Sequence, residues 1–168
     1  MLKIFNNLKP FFEDCYREFS VREYAKIVGL SPPTASKLLK EYSEEGFLNK
    51  REERNLLLFS VNRESLELRN LSGIYWREKL KELIKKLDKD YYLPSIVLFG
   101  SLSKLEVNGD SDIDLIILSN FDKKSDLSIF EKRLKRKIQL FCYDSIDKIP
   151  KNLRNNILNG HILKGVIS

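Results

Sequence analysis

Two acidic residues, Asp112 and Asp114, stand two positions apart at the start of an apolar stretch that ends at Leu118. Such a stretch predicts a strand, and side chains two positions apart on a strand project from one face. Adjacent like charges on an otherwise apolar strand are costly, and a bound divalent cation is the common way to make them favourable. Because Mg²⁺ prefers oxygen ligands, the pair indicates a magnesium site.

A glycine–serine pair, Gly100 and Ser101, ends a second apolar run at Ile96–Phe99, and ten residues separate it from Asp112. Glycine lets the backbone turn sharply beside a ligand, and serine offers a hydroxyl and an N–H to a phosphate. A β-hairpin with a polar rim is the alternative for an isolated Asp-x-Asp pair. The glycine–serine turn upstream favours a combined phosphate and metal site.

The apolar patterns around this site predict the elements that position it. Residues 62–90 have apolar side chains near helical spacing, which predicts one long helix or two abutting ones, with residues 74–89 packed on the sheet. A further strand is expected at Lys137–Tyr143, after an amphipathic helix that begins near Ser125. That helix ends in the basic stretch Lys132–Lys137. We favour the interpretation that these charges form a solvated helix face rather than a patch that binds phosphate or nucleic acid.

The first 62 residues have the pattern of three helices followed by a hairpin. Apolar spacing predicts a helix at Leu8–Phe19. A capping box at Ser20 opens the second helix, and an N-cap at Ser31 followed by proline opens the third. Residues 47–61 then read as a hairpin with a charged tip and an apolar return strand.

This order resembles the winged helix-turn-helix domain of bacterial and archaeal regulators, over about residues 6–62. The resemblance implies that the third helix enters the major groove and that the hairpin, the wing, touches phosphate or the minor groove. The residues implied at DNA are Pro33, Thr34, Ser36, Lys37 and Lys40 on the helix, and Lys50, Arg51 and Arg54 on the wing. A dimerisation or protein-contact domain is the alternative, because four glutamates lie nearby. If DNA is bound, we expect a homodimer, which doubles the phosphate contacts.

Composition permits a nucleic-acid partner without requiring one. The net charge is +6, but residues 1–65 hold 11 Lys/Arg against 10 Asp/Glu, so DNA binding there depends on local placement. Cys15 and Cys142 are far apart in sequence and read as buried thiols in a reducing compartment. Without a signal peptide or a membrane-spanning run, a cytoplasmic protein with no membrane partner is expected.

The pattern of Gly100-Ser101, ten residues, then Asp112 and Asp114 resembles the signature of the minimal nucleotidyltransferases of the DNA polymerase β superfamily. The resemblance implies that Gly100, Ser101, Lys104 and Ser111 bind the phosphates of ATP or another NTP while the aspartates hold Mg²⁺ and carry catalysis. The expected architecture is a mixed α+β or α/β chain: a winged helix-turn-helix domain at 1–65, a connecting helix at 66–90, and a nucleotidyltransferase-fold domain with a small mixed sheet at 91–168.

The chain departs from that family's pattern in three ways. Lys104 and Leu105 stand where the family often has arginine and glycine, so a positive charge is kept but a flexible residue is lost. Gln139 stands where active members place a third carboxylate, and an amide is a poor metal ligand that cannot act as a base. Asp144, an odd number of residues further, faces the other side of the strand. The third departure is brevity: no acceptor-binding domain is expected after Ser168, so the acceptor is expected to bind to a partner or to the surface around the site.

Two functions of different classes follow from these expectations. One is an adenylyltransferase that resembles the antitoxins paired with an all-helical HEPN toxin, with the winged helix repressing its own operon. The other is a transcription regulator whose nucleotidyltransferase-like domain binds a nucleotide or a partner. In this alternative the domain has lost its transfer activity because the third carboxylate is absent. A stand-alone antibiotic-modifying transferase is a third and less favoured alternative.

Overall fold

A computed structural model of the chain describes residues 3–120 and 125–166. The chain divides into two compact units, one running from the N-terminal end through Tyr75 and also containing Leu105–Gly109. The second unit holds Trp76–Lys104 and the residues from Asp110 onward. The division therefore lies inside the segment predicted as a connecting helix, rather than at its ends.

The first unit contains three helices, named α1 (Lys3–Glu13), α2 (Val21–Val28) and α3 (Pro32–Glu44), among the residues described before position 62. The helix predicted at Leu8–Phe19 begins earlier and ends at Glu13. Phe19 lies instead in a short strand, β1 (Phe19–Ser20), because its ring is buried edge-on against Phe11, with centroids 5.0 Å apart. Edge-to-face packing of this kind is favourable for buried aromatic rings.

The predicted helix-start signals are present in the structure. Ser20 Oγ accepts a hydrogen bond from Glu23 N at 3.3 Å, and Ser31 Oγ accepts one from Thr34 N at 3.4 Å. Each bond satisfies an N–H group that has no partner inside its helix. Gly29 ends α2 in the left-handed conformation, with φ +71°.

The predicted hairpin consists of β2 (Leu48–Glu53) and β3 (Leu56–Val61). The two strands pair in antiparallel register, and β1 adds to the other edge of β3. Arg54 and Asn55 form the two-residue turn with φ +49° and +62°, which is the geometry that matches the right-handed twist of the strands.

The second unit begins within α4 (Leu66–Lys79) and continues with α5 (Lys81–Tyr91). The two helices abut at Leu80, so the second of the two alternatives predicted for this segment is confirmed. Leu83, Leu87 and Tyr91 make the buried face of α5. The remaining elements are the strands β4 (Ser95–Phe99), β5 (Ile113–Leu118), β6 (Ile138–Tyr143) and β7 (His161–Lys164), with helices α6 (Ser128–Leu134) and α7 (Lys151–Leu158).

The four strands form one mixed sheet in the order β6-β5-β4-β7. β5 is parallel to β6 and antiparallel to β4, which also pairs with β7 in antiparallel fashion. The predicted α/β fold class and the small mixed sheet are confirmed. Ile116 on β5 packs with Val97 and Phe99 of β4 and with Ile157 of α7. Since strand side chains alternate, Asp114 and Asp112 lie on the same face of β5 as Ile116.

The burial predicted for the two cysteines is confirmed for one of them. Cys15 is buried as predicted, but the prediction for Cys142 was wrong, because its side chain lies on the exposed edge strand β6. The helix expected from Ser125 begins at Ser128. Within residues 3–120 and 125–166, no helix is both long and apolar enough to cross a membrane.

Candidate active site

The turn after β4 and the start of β5 meet at one end of the sheet. Phe99 pairs with Asp114 in the antiparallel register, so Gly100 lies directly beside the Asp114 side chain. Gly100 has φ +72°, and a Cβ atom built there would lie 2.1 Å from Asp114 Oδ2. A residue with a side chain therefore fits neither the backbone conformation nor the space. Glycine brings the turn against the carboxylate.

The turn itself is held by two local hydrogen bonds, one donated by a side chain and one by the backbone. Residues Gly100–Ser103 form one turn of 3₁₀ helix, in which Ser103 Oγ donates to Gly100 O at 2.9 Å. Lys104 N donates to Ser101 O at 3.1 Å. Ser101 lies at the start of this turn and is half-buried. Its hydroxyl and the nearby N–H groups can donate hydrogen bonds to an anion.

Asp112 and Asp114 are both half-buried and share one face with Gln139. In the parallel register of β5 and β6, Asp114 is the partner of Gln139. The Gln139 side chain reaches toward the other aspartate, and its Nε2 donates to Asp112 Oδ2 at 2.7 Å. An amide therefore contacts the carboxylate at the position where the resemblance expects a third acid.

Burial raises the pKa of Asp114 above its ordinary value, and the neighbouring Asp112 carboxylate raises it further. Both effects disfavour the ionised form, and a cation bound between the carboxylates opposes them because an opposite charge favours ionisation. Across the described parts of the chain, no group of three or more His, Cys, Asp or Glu residues is arranged so that it could hold a metal ion. The carboxylate oxygens of the two aspartates fit Mg²⁺, which commonly takes only one or two carboxylates from the protein and keeps water or phosphate oxygens.

Lys104 stands at the end of the glycine–serine turn and contacts the last helix. Its Nζ donates to Asn156 Oδ1 on α7 at 2.9 Å, so the ammonium group is held in place beside the turn. Sequence reasoning missed Asn156, because nothing in the spacing of α7 distinguishes it from the other asparagines there. Leu105, the predicted departure, has φ +57° and is fully buried within the first unit.

The basic stretch that ends before β6 is not uniformly solvated. Lys132, Arg133, Lys135 and Lys137 are exposed, as expected. For Arg136 the expectation was wrong, because it is only 8% exposed and its Nη1 donates to the carbonyl of Ser111 at 2.6 Å. Ser111, one of the predicted phosphate-binding residues, is half-buried and directly precedes Asp112.

The residues predicted to contact DNA on α3 occupy its exposed side near the N-terminus. Thr34, Lys37 and Lys40 are exposed, whereas Ser36 is half-buried. The Lys37 side chain is 82% exposed and has only a long contact, 3.9 Å, with Glu41. Ala35, Leu39 and Tyr42 form the buried side of the helix.

The wing residues differ in how available their charges are. Lys50 and Arg54 are exposed. Arg51 is bound on two sides, since its Nε donates to Glu18 Oε1 at 2.7 Å and its Nη1 to Glu53 Oε2 at 2.6 Å. The Arg51 hydrogen bond lowers the pKa of Glu18. Arg51 is therefore already paired with two carboxylates, which sequence spacing did not indicate.

Comparison with known protein families places the sheet, the turn and the aspartates in one domain type. The family model described as "Nucleotidyltransferase domain" matches residues 78–163, just over half of the 168 residues. The chain belongs to the nucleotidyltransferase domain family. The matched range of this nucleotidyltransferase domain contains Gly100, Ser101, both aspartates and Gln139.

Other comparisons add little to this assignment. None of the curated proteins compared with the chain matches it. Among solved structures, the chain resembles Sso10a-2, a DNA-binding protein from Sulfolobus solfataricus, at 18% identity and a TM-score of 0.37, covering 52% of this chain and 95% of that one. A likeness at this TM-score has no bearing on fold or function here.

Replacing Asp114 with asparagine is expected to stabilise the metal-free protein. The pKa of Asp114 is higher in the folded protein than in the unfolded chain. The Asp114 carboxyl group therefore stabilises the fold most at pH values below the ordinary aspartate pKa, and this stabilisation is lost as the pH rises through the folded-state pKa. Asp114→Asn should therefore raise the unfolding temperature by on the order of 1–3 °C at about pH 7.5, with a difference that vanishes toward about pH 4.

The measurement is thermal unfolding in EDTA at several pH values. Glu106→Gln, which neutralises an exposed carboxylate of the neighbouring loop, is the control and should leave the unfolding temperature unchanged. A lower unfolding temperature for Asp114→Asn at neutral pH would contradict the stated effect of burial.

Proposed function

We propose that the protein catalyses Mg²⁺-dependent transfer of a nucleotidyl group, AMP from ATP, to a hydroxyl of a protein or small-molecule acceptor. The observation that carries the proposal is the approach of Gly100 to Asp114, which joins the turn and the acidic pair in one site. Membership of the nucleotidyltransferase domain family supports it, because such domains use nucleoside triphosphates with divalent metal ions.

Each residue of the site has a distinct part in this proposal. The N–H groups and hydroxyl of Gly100 and Ser101 receive the β- and γ-phosphates, and the hydroxyl of Ser111 lies next to the metal ligands. Lys104, held by Asn156, supplies a positive charge to the same phosphates. Asp112 and Asp114 hold Mg²⁺ at the same site. When bound, the metal neutralises charge that develops on the phosphate oxygens and aligns the reacting groups.

The transfer exchanges the phosphoanhydride bond of ATP for a phosphoester bond to the acceptor. The acceptor oxygen forms a bond to the α-phosphorus, the bond from that phosphorus to the β-phosphate oxygen breaks, and pyrophosphate leaves. The acceptor hydroxyl loses its proton in the process. Gln139 cannot take that proton because an amide is not a base, so the proton passes to solvent.

A second function is favoured by one specific contact, the hydrogen bond from Gln139 to Asp112. This bond engages a carboxylate oxygen of a proposed metal ligand, and the described residues contain no group of three or more His, Cys, Asp or Glu that could hold a metal ion. In this alternative the domain binds nucleotide or a partner protein, with weak or no transfer, and acts as the sensing part of a transcription regulator.

The first unit is the proposed DNA-binding domain, of the winged helix-turn-helix class. The exposed face of α3 carries Lys37 and Lys40, which precede Glu41 and Glu44 in the chain. In helix-turn-helix proteins the first residues of the second helix approach the bases, so the two lysines lie nearer to the expected DNA than the two glutamates do. A homodimer, autorepression and a HEPN-type toxin as the acceptor complete this antitoxin-like proposal.

Transfer is tested with α-labelled ATP, Mg²⁺ and the product of the neighbouring gene as acceptor. We expect label on the acceptor, and loss of at least about 100-fold in rate with Asp112→Asn or Asp114→Asn, since removal of a metal ligand removes the charge stabilisation. Nucleotide binding without transfer to any acceptor would favour the regulator instead.

Two substitutions at Gln139 separate the effect of removing its amide from the effect of adding a carboxylate. Gln139→Ala removes the donor that occupies Asp112, and Gln139→Asp also adds a carboxylate. We expect Gln139→Asp to raise the transfer rate or the Mg²⁺ affinity by about tenfold, and Gln139→Ala to change either by less. An unchanged or lower value for Gln139→Asp would mean that the third ligand position lies elsewhere.

DNA binding is tested by gel shift on the protein's own promoter. Lys37→Ala should weaken binding by about three- to tenfold at low salt, because an exposed cation available to phosphate is removed. Arg51→Ala is the matched comparison and should have a smaller effect, since Glu18 and Glu53 already neutralise that guanidinium. Equal binding by the wild type and both variants would remove this face from the DNA interface.

A further inference from the structure

Arg136 differs from the other cations of its stretch in being buried. Its side chain is 8% exposed, and charged side chains are rarely buried unless their charge is paired or hydrogen-bonded. It follows the C-terminal end of α6, where Lys135 adopts a left-handed conformation with φ +54°. This turn directs the chain into β6 and brings Arg136 beside the residues that precede β5.

Arg136 and its neighbour bracket Asp112 from both sides. Arg136 Nη1 donates to the carbonyl of Ser111 at 2.6 Å, one residue before Asp112. The carbonyl of Lys137 accepts from Ile113 N at 2.8 Å, one residue after it. The backbone of Asp112 is thus held at each end, and a hydrogen bond from a charged donor is stronger than a neutral one.

The guanidinium is held in turn by a buried aromatic ring. Its carbon lies 5.7 Å from the centroid of Trp76, which is fully buried in α4. The Lys79 ammonium lies 4.8 Å from the same ring. An aromatic face attracts a cation, and this attraction is larger where water is excluded. The planar guanidinium can stack and donate at the same time, which an ammonium cannot do equally well.

We propose that Arg136 is a positioning residue for the metal site: it fixes the backbone from which Asp112 projects and so sets the affinity for Mg²⁺. The inference rests on the proposed function, because it assumes that Asp112 is a metal ligand. Outer partners of metal ligands act in this way, and their loss typically weakens metal binding by about 10- to 100-fold.

The test is the affinity of the full-length protein for Mn²⁺, measured from the free Mn²⁺ signal by electron paramagnetic resonance. Arg136→Met, which keeps much of the length but has no donor, should weaken Mn²⁺ binding by about tenfold. Arg136→Lys should restore part of the loss, because it keeps a cationic donor. Binding of a fluorescent ATP analogue in EDTA should stay within about twofold of the wild type, because Arg136 binds the backbone carbonyl of Ser111, whereas the proposed phosphate-binding turn is Gly100–Ser101.

Arg133→Met is the matched control, because Arg133 is an exposed arginine of the same stretch that stacks on Phe130 at 5.4 Å. Wild-type Mn²⁺ affinity in folded Arg136→Met, or an equal loss in Arg133→Met, overturns the positioning role and leaves the proposed function intact. If Arg136→Met does not fold, Arg136→Lys decides: a loss of at least about threefold supports the role and no loss overturns it. Absence of Mn²⁺ binding by the wild type overturns both proposals.

Discussion

The close approach of Gly100 to Asp114 is the constraint on which the rest of the site depends. A carboxylate oxygen occupies the space that a Cβ would fill, so the turn and the aspartate are brought together only if the residue is glycine and adopts φ near +72°. The antiparallel pairing of β4 with β5 places Gly100 beside Asp114, and the parallel pairing of β5 with β6 places Gln139 opposite the same aspartate. Two half-buried acids side by side are unfavourable alone, and the Gln139 amide relieves that cost at Asp112 without a metal.

The loop between the two motifs is held by the first unit. Leu105 and Val107 are fully buried, and Cys15 N donates to the carbonyl of Val107 at 2.7 Å. The chain therefore leaves the second unit after Lys104 and returns to it at Asp110, with its path set by packing in the first unit. This arrangement explains why Leu105 replaces the flexible residue that the family resemblance leads one to expect. At this position an apolar side chain contributes to the core of the first unit.

The elements that depend on local rules could be predicted from the sequence, and those that depend on distant partners could not. Two short apolar runs and the glycine at position 100 indicated β4, the turn and β5, and the caps at Ser20 and Ser31 indicated α2 and α3. The burial of Arg136 against Trp76 could not be predicted, because 60 positions separate the two residues in sequence. The pairing of Arg51 with Glu18 has the same origin, since it depends on how β1 is placed beside the hairpin. Domain division at Tyr75, rather than at the ends of the connecting helix, likewise follows from packing that no local pattern encodes.

The central claim is that Asp112, Asp114 and the glycine–serine turn bind a metal–nucleotide complex at one site. A crystal structure with Mn²⁺ and a non-hydrolysable ATP analogue tests it most directly, with anomalous scattering used to locate the metal. We expect Mn²⁺ within about 2.2 Å of oxygens from both aspartates, phosphates on the turn at Gly100, and the Gln139 amide moved off Asp112. A nucleotide bound elsewhere, or an anomalous peak away from the aspartates with the Gln139 bond to Asp112 retained, would contradict it.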